Sequence, residues 1–188
     1  MDIDLFVARS IYEFNLATNN ALTPLLKAIT VSANLGIIFI VLSLIFLIFK
    51  KSRRIGIEIL VSLVIGTIIV NVLKVIVVRP RPFIDTNSAY YTFYTFAGSL
   101  KQGGYSFPSG HTCAAASFGV MLFIKLNKKY SFLFLLIPLI FGFTRIYFNV
   151  HYFSDVVVGL LIGIFSTIIT IYLSKYIVNK YSNRTNNI

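Results

Sequence analysis

Three short groups of residues in this chain have side-chain types and spacings that suit chemistry on phosphorus. Lys74 stands ahead of Arg79-Pro80-Arg81-Pro82, then comes Pro108-Ser109-Gly110-His111, and then Arg145 followed by His151 and Asp155. Together they hold four fixed cations, both histidines of the chain, a hydroxyl and a carboxylate. Guanidinium forks match phosphate oxygens. A histidine whose Nδ1–H is taken by a carboxylate presents Nε2 as a nucleophile.

Each group also has a plainer reading. A lysine at a helix end ordinarily snorkels toward water, but alternating Arg-Pro-Arg-Pro forces an extended segment that points its guanidiniums; of the two, Arg79 is the weaker member. Ser109 looks like the N-cap of a helix starting at Gly110, whose free Gly110 and His111 amides, with the positive end of the helix dipole, would make an anion site. A mere cap with a surface histidine is the competing reading. His151 and Asp155, four apart, share one face if helical, yet an aspartate opening a helix also serves as a simple cap. Ionisable groups immersed in hydrocarbon cost about 2.5–3.5 kcal/mol each, so their gathering argues for a pocket.

The elements that must position these groups follow from composition. With 57% hydrophobic and 12% charged residues in 188, the chain reads as a single integral membrane domain, residues 1–188. A net charge of +11 raises nucleic acid as a partner, but the basic residues punctuate apolar runs and no nucleic-acid motif accompanies them, which excludes it. Cys113, alone among alanines, reads as a small buried apolar residue. The expected fold is all-α: a polytopic membrane helix bundle with spans near 29–49, 55–78, 109–126, 131–147 and 155–175, the fourth kinked at Pro138. Residues 1–20 lack the pattern of a cleavable signal. Leu5, Phe6, Ile11, Tyr12 and Leu16 recur there at helical intervals, which predicts an interfacial amphipathic helix. A cap over the site would leave the same pattern, and if the segment enters the bilayer the spans number six.

Lys50, Lys51, Arg53 and Arg54, then Lys125, Lys128 and Lys129, then Lys175, Lys180 and Arg184 mark the cytoplasmic side. The chemical groups then face outward, residues 83–107 form an external loop, and 179–188 form a flexible cytoplasmic tail. The aromatics Tyr90, Tyr91, Phe93, Tyr94 and Phe96 serve either as headgroup-level anchors or as contacts for a substrate's lipid portion.

Lysine, six residues, Arg-Pro; Pro-Ser-Gly-His; and arginine, five residues, histidine, three residues, aspartate: this order and spacing resembles the type 2 phosphatidic acid phosphatase superfamily. One departure is Thr144, where the family usually has serine before the arginine; the hydroxyl survives. The resemblance implies that His151 attacks phosphorus, Asp155 orients it, and His111 protonates the leaving oxygen, while Lys74, Arg81, Ser109, the Gly110 amide and Arg145 hold the phosphate. It implies no metal and no cofactor. The implied setting is the plasma (inner) membrane, with a lipid phosphate or diphosphate as substrate, membrane lipids around it, and no obligate protein partner. Undecaprenyl diphosphate is the favoured substrate; phosphatidylglycerol phosphate, phosphatidic acid and lipid A phosphates are the alternatives. Two readings of other classes compete: a vanadate-holding haloperoxidase, which five spans speak against, and a non-catalytic lipid carrier, which would need no nucleophile.

Overall fold

Hydrocarbon leaves a spanning backbone no partner but itself, so apolar runs of this length must be helical or close a barrel. The computed structural model describes residues 2–126 and 128–185, and its regular structure is helical, with no strand among the described residues. In chain order the helices are α1 (Ile3–Ala17), α2 (Thr23–Ser32), α3 (Ile37–Ile48), α4 (Arg53–Val77), α5 (Ala89–Phe96), α6 (Gly110–Lys125), α7 (Lys128–Ser131), α8 (Leu136–Tyr147) and α9 (Phe153–Thr185).

The centre of the bundle is α6, packed by α4, α8 and α9. Its Cys113, Ala115, Ala116, Ser117 and Gly119 are buried, and side chains that small let neighbouring backbones approach closely. The contact is so tight that a Cβ on Gly163 of α9 would lie 2.5 Å from both the Ala116 Cβ and the Cys113 carbonyl.

Five spans were expected, a count the structure does not confirm. Among the described residues three helical stretches are long and apolar enough to cross a bilayer, Arg53–Val77, Lys129–Tyr147 and Phe153–Lys180. A fourth arises if α2 and α3, bent by 56°, act as one span. The expected span 29–49 is therefore two helices, joined through a 3-10 turn at Asn34–Gly36 with Gly36 left-handed at φ 72°. At 16 residues, α6 extends only about 24 Å; wrapped by neighbours, it has little lipid to face. The distortion expected at Pro138 lies just ahead of it, as a 3-10 turn at Phe132–Leu135. Pro138 itself sits in the first turn of α8, where a missing N–H leaves no bond unmade.

Three further segments take helical form. The segment 83–107 carries α5, capped by Ser88. Its aromatics serve first as packing: Phe93 stacks on Tyr12 of α1 at 4.5 Å, Phe96 meets the same ring edge-on at 5.3 Å, and Tyr94 stacks on Phe83 at 4.3 Å. Helix α1 is correspondingly seated against α5, α8 and α9. The last helix continues to Thr185, through most of the stretch expected to be a flexible tail; residues 186–188 lie outside the described residues.

At the end of the bundle away from the three motifs, buried Glu58 of α4 pairs with Arg54 at 3.1 Å and Lys125 at 2.6 Å, and accepts a bond from Ser174 at 2.6 Å. That knot ties α4, the end of α6 and α9 together at the end of the bundle where Arg54 and Lys125 lie.

Candidate active site

At the opposite end the three motifs converge from six places. Lys74 closes α4, and Arg79 and Arg81 follow it in the extended segment that proline enforces. His111 opens α6, Arg145 ends α8, and Asp155 lies in the first turn of α9. His151 is not helical, as its spacing from Asp155 suggested; it sits in the bend between α8 and α9 and still meets the carboxylate, Nδ1 lying 3.4 Å from Asp155 Oδ2.

A cavity of about 260 Å³ is lined at its polar end by Lys74, Arg81, Gly110, His111 and His151, and along its apolar part by Val70, Leu63 and Ile40. Lys74 and Leu63 are eleven positions apart on α4, so the cavity follows that helix for about 16 Å. Cations and imidazoles therefore stand at one end of an apolar trough.

Loop 103–105 holds the cations. Arg81 donates to the carbonyls of Gly103 (2.8 Å), Gly104 (3.0 Å) and Val150 (2.6 Å), with Nη1 3.3 Å from His151 Nε2. Burial lowers its pKa to about 10, against the pull of Asp155, so it remains a cation at neutral pH. Lys74 Nζ donates to the Tyr105 carbonyl at 2.6 Å. An incoming anion competes only with neutral carbonyls for these donors.

Burial, then the charges of Arg145, Arg81 and Lys74, hold the His151 pKa well below its ordinary 6.5. The imidazole is therefore neutral, with a lone pair facing the cations. Asp155, fully buried, combines the two roles read as alternatives: its Oδ2 accepts the Tyr152 N–H at 3.0 Å, as a capping box does, and also the Ser106 hydroxyl at 2.8 Å, beside His151. Its Oδ1 takes Arg79 Nη1 at 2.8 Å.

Three predicted residues stand behind the cavity wall. The Ser109 hydroxyl caps α6, accepting from the Thr112 N–H at 3.4 Å and sharing a 2.9 Å bond with the Thr112 hydroxyl. Arg145 is wholly buried; Nη1 donates to Thr30 Oγ1 at 2.6 Å and Nη2 to Gln102 Oε1, while Nε has no partner among the described residues. Gln102 in turn lines the cavity, so Arg145 faces it across that amide. Arg79 is no phosphate ligand in this arrangement: it spans Asp155 and Asp4, its guanidinium 3.7 Å over the Tyr152 ring.

Sequence reasoning missed Asp4, Thr30, Asn34, Gln102, Ser106 and Ser154. Asn34 Oδ1 lies 3.3 Å from His111 Nε2. A signal existed for some: Thr30 and Asn34 are polar residues inside a predicted span, and Asp4 is one of only six acids. Among the described residues no three His, Cys, Asp or Glu side chains converge as metal ligands.

A family model described as the PAP2 superfamily matches residues 55–179. An undecaprenyl-diphosphatase of Sulfolobus acidocaldarius is 31% identical over 126 residues, 67% of this chain and 58% of that one. A lipid A 1-phosphatase of Rhizobium johnstonii is 30% identical over 116 residues, covering 62% and 46%. The chain thus spans about half the length of the curated relatives it matches. Among solved structures, that of Aquifex aeolicus LpxE superposes with a TM-score of 0.74 at 26% identity, covering 92% of this chain and 96% of the other. A transmembrane PAP2-type phosphatidylglycerolphosphate phosphatase from Bacillus subtilis has the same fold, with a TM-score of 0.68 at 20% identity over 93% and 85%.

Proposed function

The chain belongs to the PAP2 superfamily, and we propose that it is a membrane lipid phosphatase that hydrolyses a lipid phosphate or diphosphate through a phosphohistidine. The observation that carries this reading is one cavity that has Lys74, Arg81, Gly110, His111 and His151 at one end and apolar residues of α3 and α4 toward the other. A phosphate fits the first part and an alkyl chain the second.

In the first step, the His151 Nε2 lone pair forms a bond to phosphorus while the bond to the leaving oxygen breaks, and that oxygen takes a proton from His111. Asp155 stabilises the positive charge growing on the His151 ring. Lys74, Arg81 and the Gly110 amide hold the non-bridging oxygens, with Arg145 adding its field from behind Gln102. In the second step water attacks phosphorus, the nitrogen–phosphorus bond breaks, and His111 takes the water's proton, leaving inorganic phosphate and free His151. Ser109 contributes by fixing the first turn of α6.

Undecaprenyl diphosphate is the substrate we favour, with undecaprenyl phosphate as product. Support comes from the similarity to the Sulfolobus undecaprenyl-diphosphatase. The site would face the external or periplasmic side of the plasma membrane.

The test is phosphate release by purified protein in detergent from undecaprenyl diphosphate, phosphatidylglycerol phosphate, phosphatidic acid and a lipid A 1-phosphate. Release that persists in EDTA, is inhibited by vanadate, and is lost in His151→Gln together with an acid-labile phosphoprotein is the expected result. No release from any of the four, or a His151→Gln variant as active as the wild type, refutes the reading.

A further inference from the structure

Outside the matched region, the first turn of α1 carries an aspartate that reaches into the site. Asp4 is only 7% exposed. Its Oδ1 accepts the Ser154 N–H at 2.7 Å, and its Oδ2 accepts the Ser154 hydroxyl at 2.8 Å and Arg79 Nη2 at 2.9 Å. Arg79 Nη1 then donates to Ser154 Oγ and to Asp155 Oδ1, both at 2.8 Å. A continuous chain of bonds runs Asp4, Arg79, Asp155, His151.

This chain has a consequence for charge. Asp155 has to stabilise positive charge on the His151 ring as the phosphohistidine forms, yet its own oxygen is bonded to a guanidinium that opposes this. Asp4 sits on the far fork of that guanidinium and offsets it. It also caps the exposed N–H of Ser154, next to Asp155, and so fixes the turn from which the carboxylate projects.

We propose that Asp4 is a positioning residue for catalysis: α1 docks on the bundle so that Asp4 holds Arg79 and the N-terminus of α9, leaving Asp155 aimed at His151 with its negative charge undiminished. The inference rests on the phosphatase reading. It also gives the N-terminal helix a part in the reaction, whether or not its outer face lies in the membrane interface.

Asp4→Asn turns an amide NH2 toward the Arg79 guanidinium while keeping size and one acceptor. With the best substrate of the four, kcat is expected to fall about tenfold, the scale of one charge-assisted hydrogen bond felt mainly in the transition state. KM stays within about twofold, because no contact to bound substrate is removed. The inhibition constant for vanadate, which resembles five-coordinate phosphorus, rises in step with the loss of kcat. Asp4→Glu, which keeps the charge, retains several times the activity of Asp4→Asn. Arg79→Gln combined with Asp4→Asn loses no more than Arg79→Gln alone, since both act through one chain.

Wild-type kcat in Asp4→Asn, equal activity of the Asn and Glu variants, or independent multiplication of the Asp4 and Arg79 effects overturns the proposal. If Asp4→Asn cannot be recovered folded, Ser154→Ala replaces it, with about a threefold fall in kcat expected at constant KM; unchanged kcat overturns the proposal there too. An inert wild type removes the phosphatase reading along with this inference, whereas an active wild type with an equally active Asp4→Asn removes this inference alone.

Discussion

Replacing Gly159 by alanine tests whether the close approach of α9 to α6 is what registers the two catalytic groups. Gly159 lies one turn past Asp155 and so faces the same neighbour. A Cβ there would come 2.5 Å from the Ser109 carbonyl oxygen and 3.3 Å from the Ser109 carbonyl carbon and Cβ. Ordinary contact begins at 3.4 Å, so the seam must open by the difference, 3.4 less 2.5, or about 0.9 Å of separation. The atoms in the way are backbone and cannot rotate aside. Ser109 N also donates to the Asp155 carbonyl at 3.0 Å, so opening the seam moves Ser109, Gly110 and His111 away from Asp155 and His151. A misplacement near 1 Å costs about a hundredfold in a positioned reaction, which sets the expected fall in kcat at roughly 30- to 100-fold. The overpacking itself costs about 1–3 kcal/mol of stability.

Gly163→Ala separates the two effects. It lies one turn further along the same seam and clashes as severely, with Ala116 Cβ and the Cys113 carbonyl at 2.5 Å, but it presses on α6 farther from Ser109 and His111. Phosphate release and the thermal midpoint, measured on both variants in one detergent, should show similar destabilisation with a clearly larger loss of kcat for Gly159→Ala. A Gly159→Ala enzyme that keeps a third of wild-type kcat while destabilised as much as Gly163→Ala would falsify the claim that this seam sets catalytic register.

Two further outcomes are expected. His111→Gln leaves a single histidine; burial and the neighbouring cations hold His151 below its ordinary 6.5, so its ring resonances in NMR should keep neutral-form shifts from pH 7.5 down to 5.5, and a midpoint near 6.5 refutes the neutral nucleophile. The unfolded chain does bind that proton near 6.5, so the stability His151 contributes is full above that pH and declines as pH falls below it. In a Cys113→Ala background, a cysteine at Asn87 should react with a membrane-impermeant thiol reagent in intact cells and one at Ser52 should not; the reverse pattern inverts the proposed orientation.

How much of this was legible beforehand differs by residue. Lys74, Arg81, His111, His151 and Asp155 could be named because reactive types at fixed short spacings are local properties of a chain, and the helical class could be named because hydrocarbon admits few other backbones. The break in the first span was not legible, since Gly36 and Asn34 lie in a sequence apolar enough to run straight through; the left-handed φ at Gly36 belongs to the packed chain. Asp155 as cap and Asp155 as histidine partner stood as rivals in the sequence, and the bend at His151 lets one carboxylate do both. Arg79 and Arg81 are near-identical by sequence, yet Arg81 lines the cavity while Arg79 joins Asp155 to Asp4, because the partners that claim each guanidinium come from distant segments that meet only on packing. Spacing reports neighbours along the chain. The bonds from Asp4 to Ser154, from Thr30 to Arg145 and from Ser106 to Asp155 join residues 150, 115 and 49 positions apart, and such pairings exist only once the helices pack.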